Sequence, residues 1–259
     1  MLLPRILTAV VGIPLLIFLI AWGGLTYSFF IVGIALLALY EYGVILRIGK
    51  LPVQRVNAMI SGGALALCLA LGGPQGLVLS ALCALIILRE MFSREHSMQR
   101  VSFTLLGALW LGFMPAHLAL IRDLRPHGER LTLMFFAAVW AMDCAAYAAG
   151  HVLGRHKLAE VLSPKKTWEG ALAGFFAAVA VVLVFRSLSP SMLSWPRALA
   201  IGFIIGVAGQ LSDLAESMLK RAVGVKDSSA ILPGHGGIMD RFDSFILSAP
   251  MVYYFLALI

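Results

Sequence analysis

Nine apolar runs take up most of this chain, at about 6–22, 25–42, 56–72, 75–88, 101–121, 131–150, 170–188, 197–216 and 244–259. A bilayer's hydrocarbon core is crossed by a helix of ~20 mostly apolar residues, and runs of this length and number are hard to bury in any other way. The fourth run is the shortest, bounded by Gly72-Gly73-Pro74 and Arg89, and a tilted or re-entrant segment is the other reading of it. The chain is 61% hydrophobic and 13% charged; soluble domains are roughly half apolar and a quarter charged. A soluble globular enzyme, a disordered chain and a coiled coil are all excluded. The sequence predicts an all-α, polytopic integral membrane protein of about nine transmembrane helices, in a single domain over 1–259. Residues 1–130 form its N-terminal helices. Residues 131–259 form a half richer in unusual polar groups, with loops at 151–169 and 217–243. The first run follows Arg5 and ends at Ala21-Trp22-Gly23-Gly24 with no small-x-small cleavage site, so it reads as a retained helix.

The net charge of +7 fits this reading better than nucleic-acid binding, because no run of five basic residues occurs. With the N-terminus in the cytoplasm and nine crossings, 15 of the 20 Lys and Arg fall on the cytoplasmic side and 5 on the other. That bias follows the positive-inside rule and predicts an N-inside, C-outside protein. The three cysteines, Cys68, Cys83 and Cys144, sit in apolar runs and form no CxxC pair, so they read as small buried residues.

Charge inside or beside a membrane is costly and usually functional. Five acids fall within residues 213–243: Asp213, Glu216, Asp227, Asp240 and Asp243. Lys220, Arg221, Lys226, His235 and Arg241 share that window. Asp213, Glu216, Ser217 and Lys220 stand at i, i+3, i+4 and i+7, one face of the eighth predicted helix if it continues through them. Asp240 and Asp243 stand at i, i+3 where the ninth begins. Carboxylates without thiolates suit Mg²⁺; ion pairing with the neighbouring cations is the other reading of the same spacing. Between the two helices, Gly234, Gly236 and Gly237 flank His235, a turn whose backbone N–H groups are able to hold phosphate oxygens. A second constellation is Ser163-Pro164-Lys165-Lys166-Thr167-Trp168-Glu169-Gly170. It predicts a helix N-cap at Ser163 with Pro164 in the first turn, an anion site beside two lysines. The third is Asp143, an acid in the sixth run. Glu41 and Tyr42 are expected at headgroup level. His117 and His127 are expected to be isolated interfacial residues.

Residues 217–243 resemble the signature of the phosphatidate cytidylyltransferases, or CDP-diacylglycerol synthases. The matching residues are Ser217, Lys220, Arg221, Lys226, Asp227, Leu232, Pro233, His235, Gly236, Gly237, Asp240, Arg241 and Asp243. The stretch 209–217 is similar to the family's G-D-L-x-E-S, with Ser212 where Gly is frequent. The 163–170 run is also similar, and so is Asp143-Cys144-Ala145-Ala146-Tyr147, where Cys144 replaces the usual hydroxyl residue. The resemblance implies a bacterial inner-membrane enzyme, its site facing the cytoplasm, that makes CDP-diacylglycerol and pyrophosphate from CTP and phosphatidate. It implies Mg²⁺, with room for a second metal ion, and a homodimer with no nucleic-acid partner. By motif position Asp213 and Asp240 bind metal. Lys220, Arg221, Lys226, Asp227, His235, Arg241 and Asp243 complete the catalytic set. Asp143, Ser163, Lys165, Lys166, Thr167, Glu216, Ser217, Gly236 and Gly237 contact substrate phosphates. Taken without the resemblance, the residues also fit a membrane lipid kinase or an anion transporter.

Overall fold

The computed structural model describes residues 3–229, 231 and 236–258, with side chains from residue 10 onward. Helices α1 (Leu3–Trp22), α2 (Gly24–Ile48), α3 (Arg55–Ala70), α4 (Gln75–Met91) and α5 (Met98–Gly107) come first. A π-helical stretch, Ala108–Phe113, joins α5 to α6 (His117–Asp123), and α7 (Gly128–Val152) follows. Strands β1 (Lys157–Ala159) and β2 (Ser163–Thr167) pair antiparallel before α8 (Trp168–Leu188), α9 (Trp195–Ala222) and α10 (Met239–Leu258). Helix therefore covers all nine predicted runs, and the hairpin is an addition to the expected all-α chain. Five helical stretches are long and apolar enough to cross a membrane: Gly24–Ile48, Met98–Asp123, Gly128–Val152, Trp168–Leu188 and Trp195–Ala222. Their exposed side chains include Phe29, Leu37, Phe176, Val184 and Phe203. Apolar surface of that kind is stable facing lipid and costly facing water. Helix α3 has 16 residues, a rise of about 24 Å against a hydrocarbon core of about 30 Å. The first turn of α10 carries Asp240, Arg241 and Asp243.

The chain divides into two compact units, Met1–Leu120 with Leu219–Phe242, and Ile121–Met218 with Asp243–Ile259. In the first unit, small residues let helices approach closely, the usual basis of packing where lipid removes the hydrophobic drive between helices. Val32, Ala35, Ala66, Leu69, Ala70, Ala116 and Ala119 form one buried cluster. A Cβ added at Gly112 would collide with the backbone of Gly62, so α3 and the π-helical stretch touch through backbone alone. His117 is fully buried here, with Nδ1 3.1 Å from the Phe113 carbonyl and 3.0 Å from that of Met114. It is not the interfacial residue expected: at the junction between the π-helical stretch and α6 its ring meets carbonyls that have no ordinary helical partner.

The second unit repeats the device. A Cβ at Gly170 of α8 would lie 2.6 Å from the Ala146 carbonyl of α7, and one at Gly209 of α9 would lie 2.7 Å from Met142 Cε. Phe245 of α10 packs against Phe135 and Phe136 of α7, with ring centroids 5.6 and 4.5 Å apart. These contacts fix the start of α10 beside α7 and α9.

Candidate active site

Helix α9 runs unbroken through Asp213, Glu216 and Ser217, as the spacing required. One turn before Asp213, Gly209 lies close to α10, with its built Cβ 3.6 Å from the Ser244 carbonyl. Ser212, fully buried, donates from Oγ to the Asp243 carbonyl and accepts from the Leu247 N–H at 3.1 Å. This stitching brings carboxylate oxygens of Asp213, Glu216 and Asp243 within 4.8 Å of one another. Asp143 of α7 is within electrostatic reach of Asp243 and accepts from Ser244 Oγ at 3.3 Å. Lys166 Nζ, at 2.6 Å from Asp213 Oδ2, is the cation given to the cluster by the hairpin. Ser217 Oγ lies 3.5 Å from Asp213 Oδ1.

Carboxylates this close repel unless a cation sits among them. Three hard oxygen donors fit Mg²⁺ by chemistry and by closeness, so the donor set passes the test the sequence posed. The metal pair expected was Asp213 with Asp240. Asp213 has Glu216 and Asp243 as its neighbours in the second unit, whereas Asp240 belongs to the first.

The hairpin corrects one expectation directly. Ser163 and Pro164 are in β2, and α8 starts only at Trp168. Its N-cap is Thr167, whose Oγ1 accepts from the Gly170 N–H at 3.2 Å. Strand pairing wins because the Lys157 and Thr167 ends register, and Lys157 Nζ donates to the Pro164 carbonyl at 2.8 Å. Glu169 in the first turn of α8 accepts from the N–H groups of Arg155 and His156, at 3.2 Å and 3.3 Å, and lies 2.6 Å from His156 Nδ1. Lys165 is exposed.

The first unit holds the rest of the signature. Lys220 Nζ donates to Asp240 Oδ1 at 2.7 Å. The other oxygen of Asp240 accepts from the Ser228 N–H at 3.0 Å, Ser228 Oγ at 2.8 Å and the Gly237 N–H at 2.8 Å. Arg221, Lys226, Asp227 and Arg241 are exposed, and Gly236 adopts φ 81°, a conformation natural to glycine. His235 lies outside the described residues.

Sequence reasoning placed Glu41 at headgroup level; it is fully buried. Its Oε1 accepts from Ser229 Oγ at 2.6 Å and the Ile238 N–H at 2.9 Å. Its Oε2 accepts from Ser228 Oγ at 3.0 Å and the Met239 N–H at 2.8 Å. A helix begins with N–H groups that have no partner within it, and this carboxylate supplies two of them at α10. Gly237 passes so close that a Cβ there would overlap both Ser228 Oγ and Glu41. A lone acid inside an apolar 25-residue helix was the available signal.

The chain matches the cytidylyltransferase family model over residues 3–259. It is 35% identical to the phosphatidate cytidylyltransferase of Bacillus subtilis, across 98% of this chain and 97% of that protein. The phosphatidate cytidylyltransferase of Synechocystis is 33% identical over 98% and 96%. That of Brucella suis is 33% identical over 97% and 92%.

Proposed function

The chain belongs to the cytidylyltransferase family and is a nucleotidyltransferase; from that premise we propose that it transfers the cytidylyl group of CTP to phosphatidate, giving CDP-diacylglycerol and pyrophosphate. The observation that carries the reading is the grouping of Asp213, Glu216 and Asp243 with Lys166 beside Asp213. A phosphate oxygen of phosphatidate attacks the α-phosphorus of CTP, and the bond to the pyrophosphate oxygen breaks. The nucleophile is already an anion and needs no strong base. The obstacle is repulsion between two multiply charged phosphates, so positioning and charge neutralisation dominate catalysis.

Asp213, Glu216 and Asp243 would hold Mg²⁺, which when bound supplies positive charge against the triphosphate. Lys166, tethered by Asp213, and the exposed Lys165 engage phosphate oxygens. Lys220, held by Asp240, and Arg221, Lys226 and Arg241 contribute further cationic contacts. Asp240 keeps the catalytic role the signature assigns it, with the four hydrogen bonds and ion pairs around it fixing its carboxylate. Ser217 and Asp143 brace the acidic group.

The same reading places about nine crossings and a cytoplasmic N-terminus in a bacterial inner membrane, with a homodimer as the assembly. The test is purified protein in mixed micelles with phosphatidate, Mg²⁺ and CTP labelled at the α-phosphate. Label entering the lipid only with phosphatidate, and lost on adding EDTA, is the expected result. Absence of lipid label from folded protein overturns the proposal.

A further inference from the structure

At one end of α3, α4 and α5 the chain encloses a cavity of about 310 Å³ that takes no part in the chemistry above. Its lining includes Arg55 at the start of α3, Arg89 near the end of α4 and Arg100 near the start of α5, with Gln54, Asn57 and Ser93 between them. All of it lies in the first unit. Behind the wall stands one acid, Glu90, only 5% exposed. Its oxygens are already engaged by Gln54 Nε2 at 2.7 Å, the Ser97 N–H at 2.9 Å and Arg100 Nη1 at 3.0 Å. Gln54 is itself fixed: its N–H donates to Thr104 Oγ1 at 2.9 Å and its Oε1 accepts from Asn57 Nδ2 at 2.7 Å.

The wall is therefore held in place before any ligand arrives, and its charge is unbalanced. Three guanidinium groups face one carboxylate, which leaves two positive charges at the cavity. Arg89 approaches Glu90 only at 3.9 Å, and half of its side chain is exposed. Planar guanidinium donors are matched to the oxygens of phosphate. The cavity volume sits at the small end of ligand sites, the size of a headgroup rather than a nucleotide with its base and sugar. Its place at the ends of three apolar helices puts it at headgroup depth, where basic pockets between helices hold acidic lipids.

We propose that this cavity binds a phosphate-bearing anion, supplied by the headgroup of an acidic phospholipid, at a site separate from the carboxylate cluster. The proposal is independent of the cytidylyl-transfer reading. Arg55 and Arg89 provide the contacts; Arg100 is shared between the ligand and Glu90, and couples the occupied site to the α4–α5 connection.

The experiment uses the full chain in phosphatidylcholine nanodiscs with increasing phosphatidylglycerol, a lipid that is not the proposed substrate. Bound lipid is read by native mass spectrometry and stability by thermal unfolding. The expected result is preferential retention of phosphatidylglycerol and a raised unfolding midpoint. The Arg55→Gln, Arg89→Gln double variant should weaken retention about tenfold, the scale of one lost charge-assisted contact. Arg94→Gln, on the same connection but off the cavity wall, should bind as the parent does. Arg100 is left intact so that the Glu90 network is preserved, and equal midpoints in pure phosphatidylcholine check that the variants fold. A second arm titrates inorganic phosphate in uncharged detergent. Stabilisation by phosphate that the double variant loses supports the anion site with a soluble source, and stabilisation by lipid alone supports the headgroup. Equal retention by parent and double variant, or loss in Arg94→Gln to the same extent, overturns the proposal.

Discussion

At the scale of single residues, charge sets what this protein tolerates. Asp213, Glu216 and Asp243 hold their oxygens within 4.8 Å of one another, an arrangement that strains the fold until a cation joins it. Asp243→Asn should therefore raise the thermal midpoint in EDTA while lowering cytidylyl transfer by on the order of a hundredfold or more. Asp213→Asn should lose activity equally, and it also releases Lys166. The paired measurements are thermal unfolding and label transfer; a variant that keeps full turnover removes its acid from the proposed site. Glu41 behaves in the opposite sense. Glu41→Gln places an amide against four donors, and should cost about 2–4 kcal/mol of stability. Proteolysis within the stretch 224–238 should accelerate in that variant, and unchanged cleavage would deny Glu41 its hold on the loop. The Asp213, Glu216 and Lys220 spacing was legible in the sequence because a helix converts i, i+3, i+7 directly into a shared face. Glu41 was not legible, because its partners lie 187 to 198 residues further along the chain. No local pattern encodes a contact of that separation.

At the scale of elements, apolar run length carried most of the information, and helices occupy every predicted run. The exception is instructive. Ser163-Pro164-Lys165-Lys166-Thr167 has the composition of a helix start, yet it pairs as a strand with Lys157–Ala159. Composition alone cannot separate a cap five residues early from a strand that delivers its last residue as the cap. The consequence for function is direction: in β2 the two lysines stand in extended backbone, where neighbouring side chains point to opposite faces. Lys166 reaches Asp213 while Lys165 is exposed. Thr167→Val should cost about 1 kcal/mol through loss of the cap, and Thr167→Ser should retain most of it. Thermal unfolding of the two variants side by side checks this; equal midpoints would mean that pairing with β1, and not the hydroxyl, sets where α8 begins.

At the scale of the whole molecule, orientation in the membrane is the property that the arrangement of charge decides. In a background lacking the three native cysteines, a cysteine replacing exposed Glu95 should react with an impermeant maleimide from the cytoplasmic side. One replacing exposed Arg125 should react only from the other side. The reverse pattern would invert the proposed topology. The Glu41 contacts bear on a different question, the order of events as the chain is made. The ribosome completes Met1–Leu120 long before it reaches Ser228, Ser229, Ile238 and Met239. For that interval an acid stands in an apolar helix with none of its eventual donors yet in existence. The last stretch of the signature thus finishes a structure begun at the opposite end of translation. A fragment that stops short of residue 239 inherits an unfinished first unit, and the two ends of the chain are bound to one another's history.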